Sequence, residues 1–306
     1  MSDTVANRSQ PIVIAKVGSN AITTTLEDST QCVDQEKIAR IAKGISNARE
    51  HGYQVILVTS GAVASGMYVE NFTKRPGIGE AIRLSSLAAI GQSQLMAVYE
   101  KEFSKLKIHI AQGLPSQTDF QHEVVNKHMK ETLLDLLSLG VVPIINENDF
   151  TSYAEMRFGD NDIIAGLIGI LCDAQYLSIF TVQDGIMSAN PNRDPNAYLL
   201  EVIDGLTPEM FDDSQEKSAA GSGGVNSKLF IGDLCRYSGI QTSISHIDNA
   251  ASLVDIVEGR TKCTRFKVRD ENNMSIYTAG KIVQEQSAPR DNPFFSVERY
   301  VQDFRN

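Results

Sequence analysis

Two lysines and a group of acids and amides hold the chemistry this sequence offers. Lys16 closes a short apolar run, Pro11-Ile12-Val13-Ile14-Ala15, and is followed by Gly18 and Ser19. Lys228 comes after Gly221-Ser222-Gly223-Gly224 and Ser227. Between them, Asn146-Glu147-Asn148-Asp149 ends the apolar run Val141-Val142-Pro143-Ile144-Ile145. Gly159-Asp160-Asn161-Asp162 then opens a second run, Ile163 to Leu171. Glycine clusters let backbone N–H groups converge, and a helix N-terminus adds positive potential, so phosphate is their natural ligand. Lysines beside such clusters would hold phosphate oxygens. No covalent nucleophile accompanies them. The set suits direct phosphoryl transfer, which needs positioning and charge neutralisation more than covalent participation.

Each piece also has a plainer role. Asp160 serves equally as an N-cap, and Asp162 as a favourable charge near the positive end of a helix. Lys16 could be a strand-end lysine that reaches solvent, and glycines also make ordinary turns. Two polar clusters closing on one helix favour a site. In that site Lys16 and Lys228 hold phosphates and Asp162 orients them. Asp149 meets a substrate amine, and backbone N–H groups near Ser60 meet a substrate carboxylate. Several familiar signatures are absent. Ser227 precedes Lys228, which breaks the Walker pattern, and no GxGxxG follows the first strand. Gln183-Asp184-Gly185 is not the protein-kinase Asp-Phe-Gly. The histidines have no metal-ligand spacing, so no resident metal is expected on protein side chains.

The elements that must position these residues follow from hydrophobic periodicity. Apolar runs at Ile12, Gln54–Val58, Ile108–Ala111, Val141–Ile145, Tyr176–Phe180 and Ile240–Ile244 read as strands. Asp34 caps a helix with Ile38, Ile41, Ala42, Ile45 and Ala48 at helical spacing, and Gly52 stops it. Longer helices are expected over Glu80–Phe103 and Thr118–Leu139. The second should bury Val124, Val125, Met129, Leu133, Leu134 and Leu137. A short helix is expected over Ala250–Val257. The alternation predicts an α/β fold with a mostly parallel sheet and helices on both faces. Ligands in such sheets sit at the carboxyl ends of the strands. After Gly259 the character changes: Arg265–Val268 and Ser275–Tyr277 read as edge strands, Gln284–Asn292 as disordered and Phe294–Phe304 as a helix. Residues 1–10 read as a disordered arm.

Composition narrows the partners. The chain has 306 residues and a formal net charge of −10, with no run of Lys or Arg. That argues against a nucleic-acid or anionic-membrane surface. No apolar run approaches the ~20 residues of a membrane span. Four scattered cysteines without a CxxC pair fit reduced thiols in the cytoplasm.

Five blocks stand in a fixed order: Lys16-Val17-Gly18-Ser19, Val58-Thr59-Ser60-Gly61-Ala62, Pro143 to Asp149, Gly159 to Asp162, and Gly221 to Lys228. Together they resemble the glutamate 5-kinases of the amino-acid kinase family over roughly residues 10–260. The resemblance implies a three-layer αβα sandwich around a mainly parallel, roughly eight-stranded sheet. It implies MgATP-dependent phosphorylation of the γ-carboxylate of L-glutamate, the first step of proline biosynthesis. By the family pattern Lys16, Lys228 and Asp162 are catalytic. Ser60, Asp149, Asn161 and Asn146 hold glutamate. Lys16, Gly18, Ser19, Thr181, Val182, Gly221, Ser222, Gly223, Gly224, Ser227 and Lys228 bind ATP. Feedback inhibition by proline and a homo-oligomer, dimer or tetramer, are further expectations, the first tied to the loop Asn71–Gly79. Two departures fall on the nucleotide side: Val182 stands where the family usually has Asp, and Asn190-Pro191 where it has Asp-Pro. Residues 261–306 are expected to form an extension too short for the PUA domain of many bacterial members. The alternatives are an N-acetylglutamate, carbamate or UMP kinase, or a non-catalytic regulator that binds glutamate or proline.

Overall fold

The computed structural model describes residues 10–27, 29–151, 161–189, 194–207, 210, 224–269 and 274–287. Strand β1 (Ile12–Val17) is buried along its whole length. Its residues alternate between two apolar clusters, Ile12 and Ile14 in one, Val13, Ala15 and Val17 in the other. A continuous apolar run is what a strand covered on both faces requires. The single turn α1 (Ser19–Ile22) leads into a hairpin of β2 (Thr23–Thr25) and β3 (Gln31–Val33). Helix α2 (Gln35–Glu50) begins at Asp34, whose carboxylate accepts the N–H groups of Glu36 and Lys37. It crosses to β4 (Gln54–Val58), parallel to β1.

Helices α3 (Ala62–Val69) and α4 (Ala81–Lys105) follow, then β5 (Ile110–Gly113), α5 (Glu123–Ser138), β6 (Val142–Ile145), α6 (Asn161–Leu171) and β7 (Tyr176–Thr181). The chain closes through β8 (Val202–Ile203), α7 (Val225–Arg236), β9 (Gln241–His246), α8 (Leu253–Val257), β10 (Thr264–Phe266) and α9 (Ile276–Ser287). Eight strands form one sheet in the order β5-β6-β4-β1-β7-β9-β10-β8. The β9–β10 pair is antiparallel and the other pairs are parallel. Core residues of α5, α6, α7 and α9 cover one face. Those of α2, α3, α4 and α8 cover the other. This is the three-layer α/β architecture expected. No helix among the described residues is long and apolar enough to cross a membrane.

Helix α4 lies unusually close to α3. A Cβ on Gly91 would fall 1.9 Å from the carbonyl oxygen of Ala62, and one on Gly66 1.9 Å from that of Leu87. Only hydrogen fits there, so these two glycines set the distance between the helices.

Several expectations need correction. β5 starts two residues later than the apolar run at Ile108. The Thr118–Leu139 helix is a 3₁₀ turn, Gln117–Gln121, followed by α5. Within α5, Leu133 and Leu137 are buried, but Val124 is 82% exposed and Val125 and Leu134 are also exposed. An outer helix at the sheet's edge touches it along a narrow stripe, so half its apolar residues face out. Ala250–Val257 divides into a 3₁₀ turn and α8. Thr264–Phe266 is an interior strand, and β8 takes the edge. Ser275–Tyr277 is not a strand but the approach to and start of α9, whose Ala279, Ile282 and Val283 are buried at helical spacing. Residues 284–287 continue that helix. The expected disordered arm, residues 288–292 and the terminal helix lie outside the described residues.

Candidate active site

The carboxyl ends of the central strands come to one level. Lys16 pairs with Val58 of β4 and Ile179 of β7, and Val58 with Ile145 of β6. Just past that level the strands end in Gly18, Ser60, Asn146 and Thr181. The N-terminus of α6 faces the same rim, and its first two residues, Asn161 and Asp162, serve two different neighbours.

Asp162 faces the lysines. It is fully buried, pairs through Oδ1 with the amine of Lys16, and lies 3.0 Å through Oδ2 from Lys228 Nζ. The Ser227 hydroxyl lies 3.4 Å from Oδ2 and 3.0 Å from the Gly224 carbonyl. Lys16 is also buried, and Lys228 nearly so. A lone buried carboxylate would cost several kcal/mol, so double pairing and the helix N-terminus are what keep Asp162 charged. Within this cluster two amines outnumber one carboxylate, an attraction for phosphate oxygens. Helix α7 delivers Ser227 and Lys228 in its first turn, starting from Gly224. The amine of Lys16 lies close enough to Gly18 that a Cβ there would come within 3.5 Å of it.

Asn161 faces the other way. Its Nδ2 donates to Ser60 Oγ and Asn146 Oδ1, both at 3.0 Å, and its Oδ1 accepts the Glu147 N–H at 3.1 Å. Asn146 Nδ2 donates to Gln92 Oε1 of α4 at 2.7 Å. Gly61 turns the chain from β4 into α3 with a φ of +104°, which a side chain rarely tolerates. Its missing Cβ would also meet Ile22 at 2.9 Å. Ser60, Gly61, Asn146 and Asn161 wall a small open cleft, completed by Ser19, Arg75, Glu147 and Asp149.

The structure therefore brings Lys16, Asp162 and Lys228 together, and sets Ser60, Asn146, Asn161 and Asp149 around one cleft beside them. Ser19 also lines that cleft. Thr181 ends β7, and Val182 beyond it is half exposed. Gly159, Asp160, Asn190, Pro191, Gly221, Ser222 and Gly223 lie outside the described residues. Arg75, Glu147 and Gln92 were not foreseen. Glu147 sits inside a recognised block; Arg75 belongs to a loop without periodicity; the one clue to Gln92 was its place after a mid-helix glycine. Among the described residues no three His, Cys, Asp or Glu side chains cluster as a metal site.

The family model described as "Amino acid kinase family" matches residues 11–234. The chain is 37% identical over 258 residues to a glutamate 5-kinase of Paraburkholderia phymatum, covering 84% of this chain and 68% of the relative. It is 34% identical over 249 residues to glutamate 5-kinase 1 of Bacillus subtilis, covering 81% and 67%. Among solved structures it resembles an isopentenyl phosphate kinase (TM-score 0.57, 17% identity, 84% of this chain and 100% of that one). It also resembles UMP kinase from Ureaplasma parvum (TM-score 0.54, 16% identity, 85% and 99%). At those identities the two structures speak to the fold alone.

Proposed function

The chain belongs to the amino acid kinase family, among its glutamate 5-kinases, and from that premise we infer how its residues carry the reaction. It transfers the terminal phosphoryl group of ATP to the γ-carboxylate of L-glutamate, giving L-glutamyl 5-phosphate for proline biosynthesis. The curated relatives, all glutamate 5-kinases, do not favour an N-acetylglutamate, carbamate or UMP kinase, or a non-catalytic regulator.

The observation that carries the assignment of roles is one helix turn. Asp162 gathers two lysines, and its neighbour Asn161 gathers the amide wall of a cleft. Lys16 and Lys228 take β- and γ-phosphate oxygens and stabilise the charge that develops on them. Ser60, Asn146, Asn161 and Asp149 hold glutamate. Asp149 and Glu147 face its ammonium, and Arg75 offsets their charge and takes the α-carboxylate. The γ-carboxylate then points to the lysines. One of its oxygens attacks the γ-phosphorus in line, the bond to the β-phosphate oxygen breaks, and ADP leaves. A carboxylate arrives already deprotonated, so the step needs no general base. Thr181, Val182, Gly18 and the segment Gly221–Lys228 hold the nucleotide. Mg²⁺ travels on the phosphates, as this ion often does in place of an all-protein cage, and neutralises their charge.

The purified protein, MgATP and a panel of acceptors with hydroxylamine test this. Acceptor-dependent ADP release is fastest with glutamate, ahead of N-acetylglutamate, carbamate or UMP, and hydroxylamine traps the glutamate product as γ-glutamyl hydroxamate. Its absence at saturating substrates would refute the assignment. Proline inhibition through the Asn71–Gly79 loop, a homodimer or homotetramer, and a cytoplasmic location are further proposals. The first predicts a glutamate saturation curve displaced by proline. The second predicts a sedimentation mass above that of one chain.

A further inference from the structure

We propose that Gln92 is a positioning residue that fixes the direction of the hydrogen bonds in the acceptor cleft, so that Ser60 presents a donor to the substrate carboxylate. This rests on glutamate being the acceptor. The direction is set by a group that cannot be reversed. The backbone N–H of Glu147 can only donate, and it lies 2.9 Å from Asn146 Oδ1 and 3.1 Å from Asn161 Oδ1. Both side-chain amides therefore turn their oxygens towards it. Asn161 Nδ2 is then committed to Ser60 Oγ and to Asn146 Oδ1. Ser60 Oγ accepts there, so its own proton is left to point elsewhere, and Ser60 lines the cleft. Asn146, only 2% exposed, is left with an Nδ2 that needs an acceptor. Gln92 Oε1 supplies it at 2.7 Å.

Gln92 lies behind the cleft wall, on α4. The Gly91 contact with α3 holds that stretch of helix at its working distance, and α3 itself starts just after Ser60. Facing a donor, Gln92 turns its amide oxygen to Asn146, and its own Nε2 lies 3.4 Å from Gln112 Oε1. Without that oxygen, a buried amide loses its partner and the orientation of Asn146, Asn161 and the Ser60 hydroxyl is no longer unique. The loss falls on ground-state recognition of glutamate and not on the phosphoryl step.

Steady-state kinetics on three variants test this. Gln92→Met should raise the glutamate KM about tenfold, leaving kcat and the ATP KM within about twofold. Gln92→Glu, which keeps an acceptor oxygen, should recover most of that loss. In a Ser60→Ala background, where there is no hydroxyl left to orient, Gln92→Met should add less than about twofold. If Gln92→Met fails to fold, Gln92→Lys, which is donor-only, bears the same expectation. An unchanged KM, an equal loss in Gln92→Glu, or a full additional loss in the Ser60→Ala background would overturn the positioning role. A wild-type enzyme that ignores glutamate would instead remove the premise, and the two failures are told apart by the wild-type assay alone.

Discussion

The two sides of the first turn of α6 are built from opposite materials. On one, Asp162, Lys16 and Lys228 form a buried, charged cluster with a net positive charge. On the other, Ser60, Asn146, Asn161 and Gln92 form a neutral hydrogen-bonded chain, and charged groups stand only around it. The charged side meets a nucleotide whose terminal oxygens gain or lose charge during transfer, where fixed positive groups act most strongly. The neutral side meets the amino-acid end of the acceptor, whose ammonium and α-carboxylate keep their charge. There, direction matters more than field, and amides give direction without the desolvation cost of buried ions. Damage to the first side should therefore appear in kcat, and damage to the second in the glutamate KM.

The largest expected effect breaks the charged side. Asp162→Asn removes the carboxylate that pairs with both lysines. Turnover should fall about 10²–10³-fold, and stability by about 3–5 kcal/mol, read by hydroxamate kinetics and urea unfolding. Loss of stability with full turnover would show that Asp162 only caps α6. Next comes Asp149→Ala. It should raise the glutamate KM about 10–100-fold with little change for ATP; equal changes in both would make Asp149 structural. Arg75→Ala should cost about tenfold in glutamate KM. The same variant should bind 4-aminobutyrate, which lacks the α-carboxylate, as weakly or as well as wild type does. A matching loss for both ligands would separate Arg75 from that carboxylate. The smallest effect sharpens the nucleotide side: Val182→Asp, restoring the family residue, should lower the ATP KM about two- to threefold. A rise would mean that the half-exposed Val182 packs against the nucleotide.

How much of this the sequence made legible depended on whether local pattern or distant packing decided the position. β1 and the strand before Asn146 announce themselves as apolar runs, and their polar ends fall at the rim because parallel strands share a direction. Asp162 was readable as the first charge of an apolar helix. Its two lysine partners were readable from the glycine clusters beside them, although they arrive from 146 residues before and 66 after. Arg75 reaches the cleft from a loop whose path no periodicity encodes. Gln92 looks like any polar residue on a long helix until the α3–α4 contact turns it inwards. The outward apolar residues of α5 and the misread Ser275–Tyr277 share one cause: whether an apolar side chain is buried depends on what covers it, and a spacing pattern does not say.

The most direct test of the division between the two sides is the kinetics of Lys228→Met with glutamate and MgATP, followed as hydroxamate. A charged group that acts only on the phosphates predicts kcat lower by about 10²-fold or more and a glutamate KM within about twofold of wild type. An unchanged kcat, or a glutamate KM that rises as far as kcat falls, would contradict it.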